Sequence, residues 1–326
     1  MFSLFDDVIG HDELKDVLKK VAVKPGHAYL FQGQQGVGKR MLAERLAASV
    51  LYSLEEQQKL DCARLIENLE AHPDFIRVVR ADGTKELSVR QIRELVERTS
   101  LSSARGGKIV VLIEEADSLN EEACNAMLKT VEEPKAALLF LLLAERPNRL
   151  PATLRSRLTP LSCERVSRVT LVRWLQAAHD VTDVKRANEI AEASLGCPGR
   201  AVAILRDLAG WQARRERVNA IAEQLLHGNL GTRLAAIDRL TTEAERADDP
   251  SEAWQILLEA CGRAIQNDWM THPLETVRMA RGLIHASRLA GGSLSPRFAL
   301  EWNGTLPFVP EHSLPRVLDT SSLFSL

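Results

Sequence analysis

A glycine-rich segment that ends in lysine offers the clearest chemistry in this 326-residue chain. The segment reads Gly33-Gln34-Gln35-Gly36-Val37-Gly38-Lys39-Arg40 and lies between an apolar strand pattern and a helical pattern. In this context glycines let backbone N–H groups turn towards a phosphate, and the lysine reaches the β- and γ-phosphates. The alternative is a glycine turn that holds no ligand. We predict a nucleotide-binding loop whose contacts are Gly33, Gly36, Val37, Gly38, Lys39 and Arg40.

Arg40 departs from the usual pattern of such a loop. The position after the lysine normally carries a serine or threonine whose hydroxyl binds Mg²⁺. A guanidinium cannot be a metal ligand, although Arg40 could contact a phosphate or lie in solvent as a helix residue. ATP therefore remains a possible cofactor, and well-ordered Mg²⁺ is not expected. ATP binding is favoured over ATP hydrolysis.

Two glutamates follow the apolar run 109–113. In a phosphate-loop fold the first acid after such a strand holds Mg²⁺ and is usually aspartate. Glu114 keeps the charge but is one methylene longer, and Glu115 stands where a carboxylate would polarise the attacking water. We assign Glu114 to the nucleotide site and give Glu115 a weak catalytic role; the alternative is that the acids merely end a strand.

The elements that position these residues follow from four continuously apolar runs. Such runs are typical of parallel strands that helices cover on both faces. The predicted strands are 28–32, 75–79, 109–113 and 138–144. The predicted helices are 39–54, 89–99 and 121–132, the last with Asn120 as its N-cap. This alternation predicts an α/β domain with a parallel sheet over residues 1–162.

The pattern becomes helical after Pro160. Helices at 171–179 and 184–193, and another after the 196–199 break, predict a small lid domain over residues 163–208. Longer helical faces predict an all-α C-terminal domain over residues 209–326. The prolines that follow Gly304 predict an extended tail.

Composition excludes several classes of function. The net charge is −2, so the whole chain is not an electrostatic nucleic-acid binder. The N-terminal segment lacks the apolar core of a signal peptide, and the longest apolar run, 136–144, is shorter than a membrane span. Five scattered cysteines contain no CxxC pair and predict no disulfide framework. A reduced cytoplasm is the expected location.

Two further motifs follow the acidic strand end. Residues 119–134 read Leu-Asn-Glu-Glu-Ala-Cys-Asn-Ala-Met-Leu-Lys-Thr-Val-Glu-Glu-Pro, and residues 154–158 read Leu-Arg-Ser-Arg-Leu. Both motifs resemble the clamp-loader branch of the AAA+ ATPases, which has Ser-Arg-Cys at the second one. The strong resemblance covers residues 5–160. Further matching segments are 5–10, 27–31, 72–75, 88–93 and, in the lid, 196–201.

The resemblance implies an AAA+ phosphate-loop domain, a helical lid and an all-α collar that holds five subunits in an open ring. ATP binding in motor subunits closes the ring around primer–template DNA and opens the sliding clamp. Residues 72–75 and 88–93 narrow the match to the subunit type that acts as a rigid stator. By carry-over, Arg157 reaches the ATP site of a neighbouring motor subunit in trans. The alternative is a surface arginine that pairs with an acid.

The resemblance implies roles at four other positions. Arg200 matches the sensor-2 arginine of the nucleotide site, or else is a helix-start arginine in the lid. Ala144 and Glu145 fall near sensor 1, where a small polar residue is usual. Relatives commonly carry four cysteines where this chain has Cys62 alone, so we predict no structural zinc and a buried or idle thiol.

The resemblance also names partners. We expect the other loader subunits as partners, the sliding clamp indirectly, and primer–template DNA weakly or through the complex. Arg90, Arg93 and Arg105 could contact DNA phosphates, but acids nearby make a solvated, salt-bridged helix the favoured alternative.

Two rival functions belong to enzyme classes. An active motor subunit of the loader would carry serine or threonine after Lys39, an aspartate at position 114 and a polar sensor 1. A general phosphate-loop enzyme such as a nucleotide kinase would not explain the 119–134 and 154–158 motifs. We therefore expect no efficient ATPase in the isolated chain.

Overall fold

The computed structural model describes residues 4–81, 84, 86–99, 103–133 and 138–227, together with 231, 232 and 235. The chain divides after Arg206 into two units. The second unit is described through one helix, Leu208–His227. The predicted all-α domain beyond residue 235 and the tail 304–326 lie outside the described residues. The predicted boundary between residues 162 and 163 stays a prediction.

A parallel sheet of five strands forms the centre of the first unit, in the order β2-β3-β4-β1-β5. The strands are β1 (Ala28–Gln32), β2 (Phe75–Val78), β3 (Ile109–Ile113), β4 (Leu138–Ala144) and β5 (Thr159–Ser162). Every pair of neighbouring strands is parallel, which confirms the predicted α/β class. The predicted limits of β1, β3 and β4 are confirmed, and β2 ends one residue early.

Strand β5 was not among the predicted strands. It is an edge strand that pairs with β1 alone, and three of its four residues are exposed. Pro160 lies inside it, which an edge strand tolerates because one side of the strand needs no ladder hydrogen bonds. A short, mostly exposed run with a proline carries no apolar strand signal.

Helices follow the strands and cover both faces of the sheet. In the first unit they are α1 (Asp12–Val23), α2 (Lys39–Leu51), α3 (Leu54–Lys59), α4 (Cys62–Glu67), α5 (Val89–Thr99), α6 (Glu121–Glu132), α7 (Ala152–Arg155), α8 (Arg168–Ala178), α9 (Val184–Ala193) and α10 (Pro198–Arg206); α11 is Leu208–His227. Helix α2 ends three residues before the predicted limit. The predicted cap of α6 is confirmed, since the Asn120 side chain accepts a hydrogen bond from Ala123 N.

The core has two layers, one on each face of the sheet. Phe31, Val110 and Leu141 pack with α2 on one face, while the alternate residues Leu30 and Val111 belong to the other face. All five are nearly inaccessible to solvent. Both layers bury aliphatic side chains, so the strands are apolar without interruption. No helix among the described residues is long and apolar enough to cross a membrane.

Candidate functional site

The loop between β1 and α2 has the backbone of a phosphate cradle. Gly33, Gly36 and Gly38 have φ values of 153°, 80° and 112°, which residues with a Cβ rarely adopt. Gly33 also lies so close to Cys163 that a Cβ there would be 2.4 Å from the carbonyl oxygen of Cys163. Glycine is therefore required at position 33 both by conformation and by the approach of Cys163, the residue after β5.

Lys39 lies at the first position of α2 and points back into the loop. Its Nζ donates hydrogen bonds to the carbonyl oxygens of Gly33 (2.6 Å) and Gln34 (2.9 Å). Burial lowers the pKa of Lys39, and the carboxylate of Glu145 opposes this effect. The ammonium group is therefore held within the loop, at the place from which it would reach a phosphate.

Helix α10 packs directly on this loop. The N–H of Gly199 donates a 2.8 Å hydrogen bond to the carbonyl of Gly36. Arg200 also lies against Gly36. A Cβ added to Gly36 would be 3.2 Å from both the backbone nitrogen and Cγ of Arg200. The predicted contact of Arg200 with a nucleotide stays a prediction; its neighbours Pro198 and Gly199 line the cleft.

Glu114 is held by two arginines at the carboxyl end of β3. Its Oε1 lies 2.7 Å from Arg77 Nε and 3.4 Å from Arg40 Nε. Arg40 also pairs with Glu44 at 2.6 Å, one turn along α2, and Arg77 also pairs with Glu70. A magnesium ion, which phosphate-loop folds imply, does not fit these residues, because guanidinium groups already bind the carboxylate that would hold it.

Glu115 is paired with a third arginine. Its Oε2 lies 2.8 Å from Arg80 Nε, and its backbone has a left-handed φ of 49°. The side chain of Glu115 is 58% exposed, so it remains open to solvent. Arg77 lies on β2 and Arg80 shortly after it. Parallel pairing aligns the end of β2 with the end of β3, and this brings both arginines close to the two acids. The roles of Glu114 and Glu115 in nucleotide binding and catalysis stay predictions.

A cleft of about 1040 Å³ opens above the loop. Its apolar part can accept a planar base; it is lined by Val8, Ile9, Trp174, Pro198 and Val202. Its polar part contains the loop and the acidic strand end; it is lined by Gly36, Gly38, Lys39, Arg40, Glu114, Glu115, Asp117, Glu145, Arg80, Arg146 and Arg149. The cleft therefore has the layout of a nucleotide site, with Arg40 where a hydroxyl would be usual.

Arg157 lies outside this cleft. It follows α7, and its guanidinium contacts the Glu132 carboxylate at 2.6 Å through Nη2 and the Thr153 carbonyl at 2.5 Å through Nη1. Its side chain is 39% exposed. Arg157 thus pairs with an acid at the surface, and this arrangement leaves the predicted trans role as a prediction.

The arginines predicted to contact DNA are exposed. Arg90 pairs with Glu94 at 2.8 Å on the same helix, and Arg105 pairs with Glu56 at 2.9 Å. Arg93 is exposed on α5. Ion pairs on Arg90 and Arg105 agree with the salt-bridged alternative, while direct DNA contact stays a prediction.

The His-Pro-Asp motif at 72–74 has a structural use. The buried carboxylate of Asp74 accepts hydrogen bonds from the N–H groups of Ala104 (2.7 Å) and Arg105 (3.0 Å). Burial opposes ionisation of Asp74, yet these backbone donors keep its pKa below the usual value. The motif therefore fixes the turn that leads into β3.

Sequence reasoning missed a buried arginine on α2. Arg45 is 7% exposed and donates hydrogen bonds to the Leu4 carbonyl (2.9 Å), to Asp7 (2.7 Å) and to the Cys62 thiol. Burial raises the pKa of Cys62, which is a buried thiol as predicted. A charged residue in the middle of an apolar helix face, followed by alanines, was the signal available.

Comparisons with known proteins identify the relatives of the chain. Residues 10–167 match the family described as DNA polymerase III, delta subunit. The delta-prime subunit of DNA polymerase III from Pseudomonas aeruginosa is 32% identical over 199 residues, which cover 60% of this chain and 59% of that protein. The tau subunit from Escherichia coli is 29% identical over 304 residues, which cover 90% of this chain and 44% of that protein.

A solved structure, a DNA polymerase III gamma subunit-related protein from Thermotoga maritima, aligns with a TM-score of 0.46 at 15% identity over 91% of this chain and 98% of that chain. The matches with the two curated relatives span less than two thirds of the length of each, 59% and 44%. The resemblance to delta-prime subunits, which residues 72–75 and 88–93 indicated, is confirmed by the Pseudomonas aeruginosa relative.

Proposed function

We propose that this chain, which resembles the delta-prime subunits of bacterial DNA polymerase III, is a clamp-loader subunit that acts as a stator. The observation that carries the proposal is the position of Arg157. This arginine lies in the segment that matches the family, is partly exposed, and is absent from the lining of the chain's own cleft. An arginine so placed can serve a site on another subunit.

Arg157 stabilises the charge on the γ-phosphate of ATP that a neighbouring motor subunit binds. A guanidinium carries five N–H donors in a rigid fork. The contacts with Glu132, Thr153 and Ser156 orient the group and leave donor capacity for phosphate oxygens. The pair with Glu132 is a surface pair, so a phosphate can replace the carboxylate at low cost.

The chain's own cleft keeps nucleotide binding and loses efficient hydrolysis. Lys39 and the glycine backbone provide the phosphate contacts. The acids Glu114 and Glu115 are both paired with arginines, and Ala144 offers no polar group at the sensor-1 position. Turnover therefore belongs to the motor subunits.

The partners follow from this role. The gamma or tau motor subunits and the delta subunit surround the chain, and the C-terminal helical domain joins the collar. The sliding clamp is reached through the assembly. Primer–template DNA is contacted weakly, since Arg90 and Arg105 are already paired with acids.

The test is the DNA- and clamp-stimulated ATPase of a loader reconstituted with Arg157→Ala. Loss of an arginine finger lowers kcat by about 10³–10⁵-fold at one site. A loader with several motor sites loses the share of turnover that depends on the site next to this chain, and clamp loading falls with it. Arg155→Ala is the matched control, because Arg155 contacts Pro147 and Asn148 within its own subunit. Unchanged loading with Arg157→Ala would refute the trans role.

A motor subunit is the second candidate. The tau relative aligns over 90% of this chain, and the loop keeps the Gly-Lys pair that ATP requires. Multiple-turnover ATP hydrolysis by the isolated chain, abolished by Lys39→Ala, would favour this candidate over the stator.

A further inference from the structure

The acidic end of β3 is surrounded by guanidinium groups from two other elements. Arg77 on β2 and Arg40 on α2 both approach Oε1 of Glu114, at 2.7 Å and 3.4 Å. Arg80, three residues after Arg77, pairs with Glu115 at 2.8 Å. Each of the two acids therefore has a cationic partner within its own chain.

We propose that Arg40, Arg77 and Arg80 replace a divalent cation at this place, so that the cleft takes a nucleotide without bound metal. The proposal concerns the interior of the cleft and does not depend on the trans role of Arg157. Glu114 acts as a counter-ion that joins α2, β2 and β3, and its carboxylate is no longer a ligand for magnesium.

The geometry supports a replacement rather than an incidental contact. The side chain of Glu114 is 20% exposed and that of Arg77 is 24% exposed, so water screens their pair only in part. Two guanidinium groups share one oxygen, and a divalent cation on that oxygen would lie within a few ångströms of both positive charges. Coulomb repulsion would then oppose metal binding.

Two further glutamates hold Arg40 and Arg77 in position. Glu44 holds Arg40 from one turn along α2, and Glu70 holds Arg77 from the segment before β2. Burial opposes the charge on Arg77, but its bonds with Glu114 and Glu70 raise the pKa of its guanidinium. The arginines are therefore anchored from both sides of Glu114 and do not depend on a bound ligand.

The test is binding of Mn²⁺, in the presence of ATP, to the full-length chain, followed by electron paramagnetic resonance. We expect no stoichiometric Mn²⁺ site in the unmodified chain, and one site in the double variant Arg40→Ser, Arg77→Gln. Adding Glu114→Gln to the double variant should remove that site. Arg90→Gln is the matched control, because it deletes an arginine–glutamate pair on α5 whose residues do not line the cleft.

Two results would overturn the proposal. One is a Mn²⁺ site in the unmodified chain that Glu114→Gln abolishes. The other is a folded double variant, checked by circular dichroism, that gains no Mn²⁺.

A second measurement decides the matter where the double variant does not fold. Glu114→Gln alone should lower the melting temperature equally with and without MgCl₂, because the substitution removes ion pairs with arginines and no metal ligand. A loss seen only in MgCl₂ would contradict the proposal. None of these readouts involves a neighbouring subunit, so they fail or succeed independently of the stator function.

Discussion

The carboxylate of Glu132, the last residue of α6, lies 2.6 Å from Nη2 of Arg157, just beyond α7. Thr153 holds the other terminal nitrogen at 2.5 Å. The guanidinium is thus oriented by two elements of its own subunit while 39% of the side chain remains exposed. An arginine that must reach a neighbour needs this combination of fixed direction and access.

Arg157→Ala should leave the fold almost unchanged. Exposed ion pairs contribute about 0–1 kcal/mol, so we expect a loss of less than about 1 kcal/mol in the free energy of unfolding. Urea unfolding followed by circular dichroism measures it. A loss above about 2 kcal/mol would mean that Arg157 is structural, and a defect of the variant in a reconstituted loader could then not be assigned to the neighbouring site.

Arg45→Ala should be much more damaging, because Arg45 is buried. The substitution removes the donor to the Leu4 carbonyl and to Asp7, which tie the N-terminal segment to α2. Removing a buried hydrogen-bond partner costs about 1–3 kcal/mol, and the lost packing adds to this. We expect at least about 2 kcal/mol by urea unfolding. Arg64→Ala on the exposed side of α4 should change stability by less than about 0.5 kcal/mol.

Gly33→Ala should disrupt the phosphate loop. The added Cβ would meet the Cys163 carbonyl at 2.4 Å, and the φ of 153° is unfavourable for alanine. We expect a loss of about 2–4 kcal/mol in the free energy of unfolding. Gly107→Ala has nothing within 4 Å of its Cβ and should be neutral or stabilising by up to about 1 kcal/mol. Equal effects of the two substitutions would contradict the close approach of Cys163 to the loop.

Much of the fold follows from the sequence, because the central strands are buried on both faces. The limits of β1, β3 and β4 and of α5, α6 and α9 agree with the apolar runs and caps. Strand β5 could not be predicted in this way, because it contains Pro160 and three of its four residues are exposed. It forms a strand because it pairs with β1 at the edge of the sheet. The hydrophobic pattern of a segment does not predict a strand that is stabilised mainly by pairing with its neighbour.

The candidate site was predictable in its loop and not in its ion pairs. Phosphate binding requires glycines and a lysine at fixed spacing, so the sequence alone identifies the loop from Gly33 to Lys39. The pair between Arg77 and Glu114 joins residues 37 positions apart, and only the parallel register of β2 with β3 brings them together. A lone arginine within the apolar run 75–78 was the available signal, and it does not indicate a partner.

Cys124 and Cys163 should be unreactive towards thiol reagents in the native chain. Burial raises the pKa of Cys124 to about 11 and that of Cys163 to about 12, so very little thiolate exists near pH 8. We expect both to react about 100-fold or more slowly than in the urea-unfolded chain, as measured by alkylation and peptide mass spectrometry. Comparable rates in both states would contradict their burial.

The environment of His72 makes stability depend on pH near neutrality. The ring is buried, packs edge-on against Tyr52 at 5.3 Å between centroids, and accepts the Asp74 N–H at Nδ1. Its Nε2 has no hydrogen-bond partner among the described residues. Protonation would turn Nδ1 into a donor and break the bond from Asp74. The folded chain therefore favours the neutral ring.

His72→Asn should flatten this dependence. Burial lowers the pKa of His72 below 6.5, Arg105 lowers it further, and Asp74 and Glu56 oppose both effects. A lowered pKa means that the unfolded chain binds the proton more readily, so stability is full well above pH 6.5 and is lost as the pH falls through 6.5. We expect the free energy of unfolding, measured in urea, to drop between about pH 7.5 and pH 5.5 in the unmodified chain and to drop less in the variant. The carboxylate of Asp74 does not account for this window, because its pKa is lowered from 3.8 and its stabilising effect is lost only in more acidic solution. An equal drop in both proteins would show that another group is responsible.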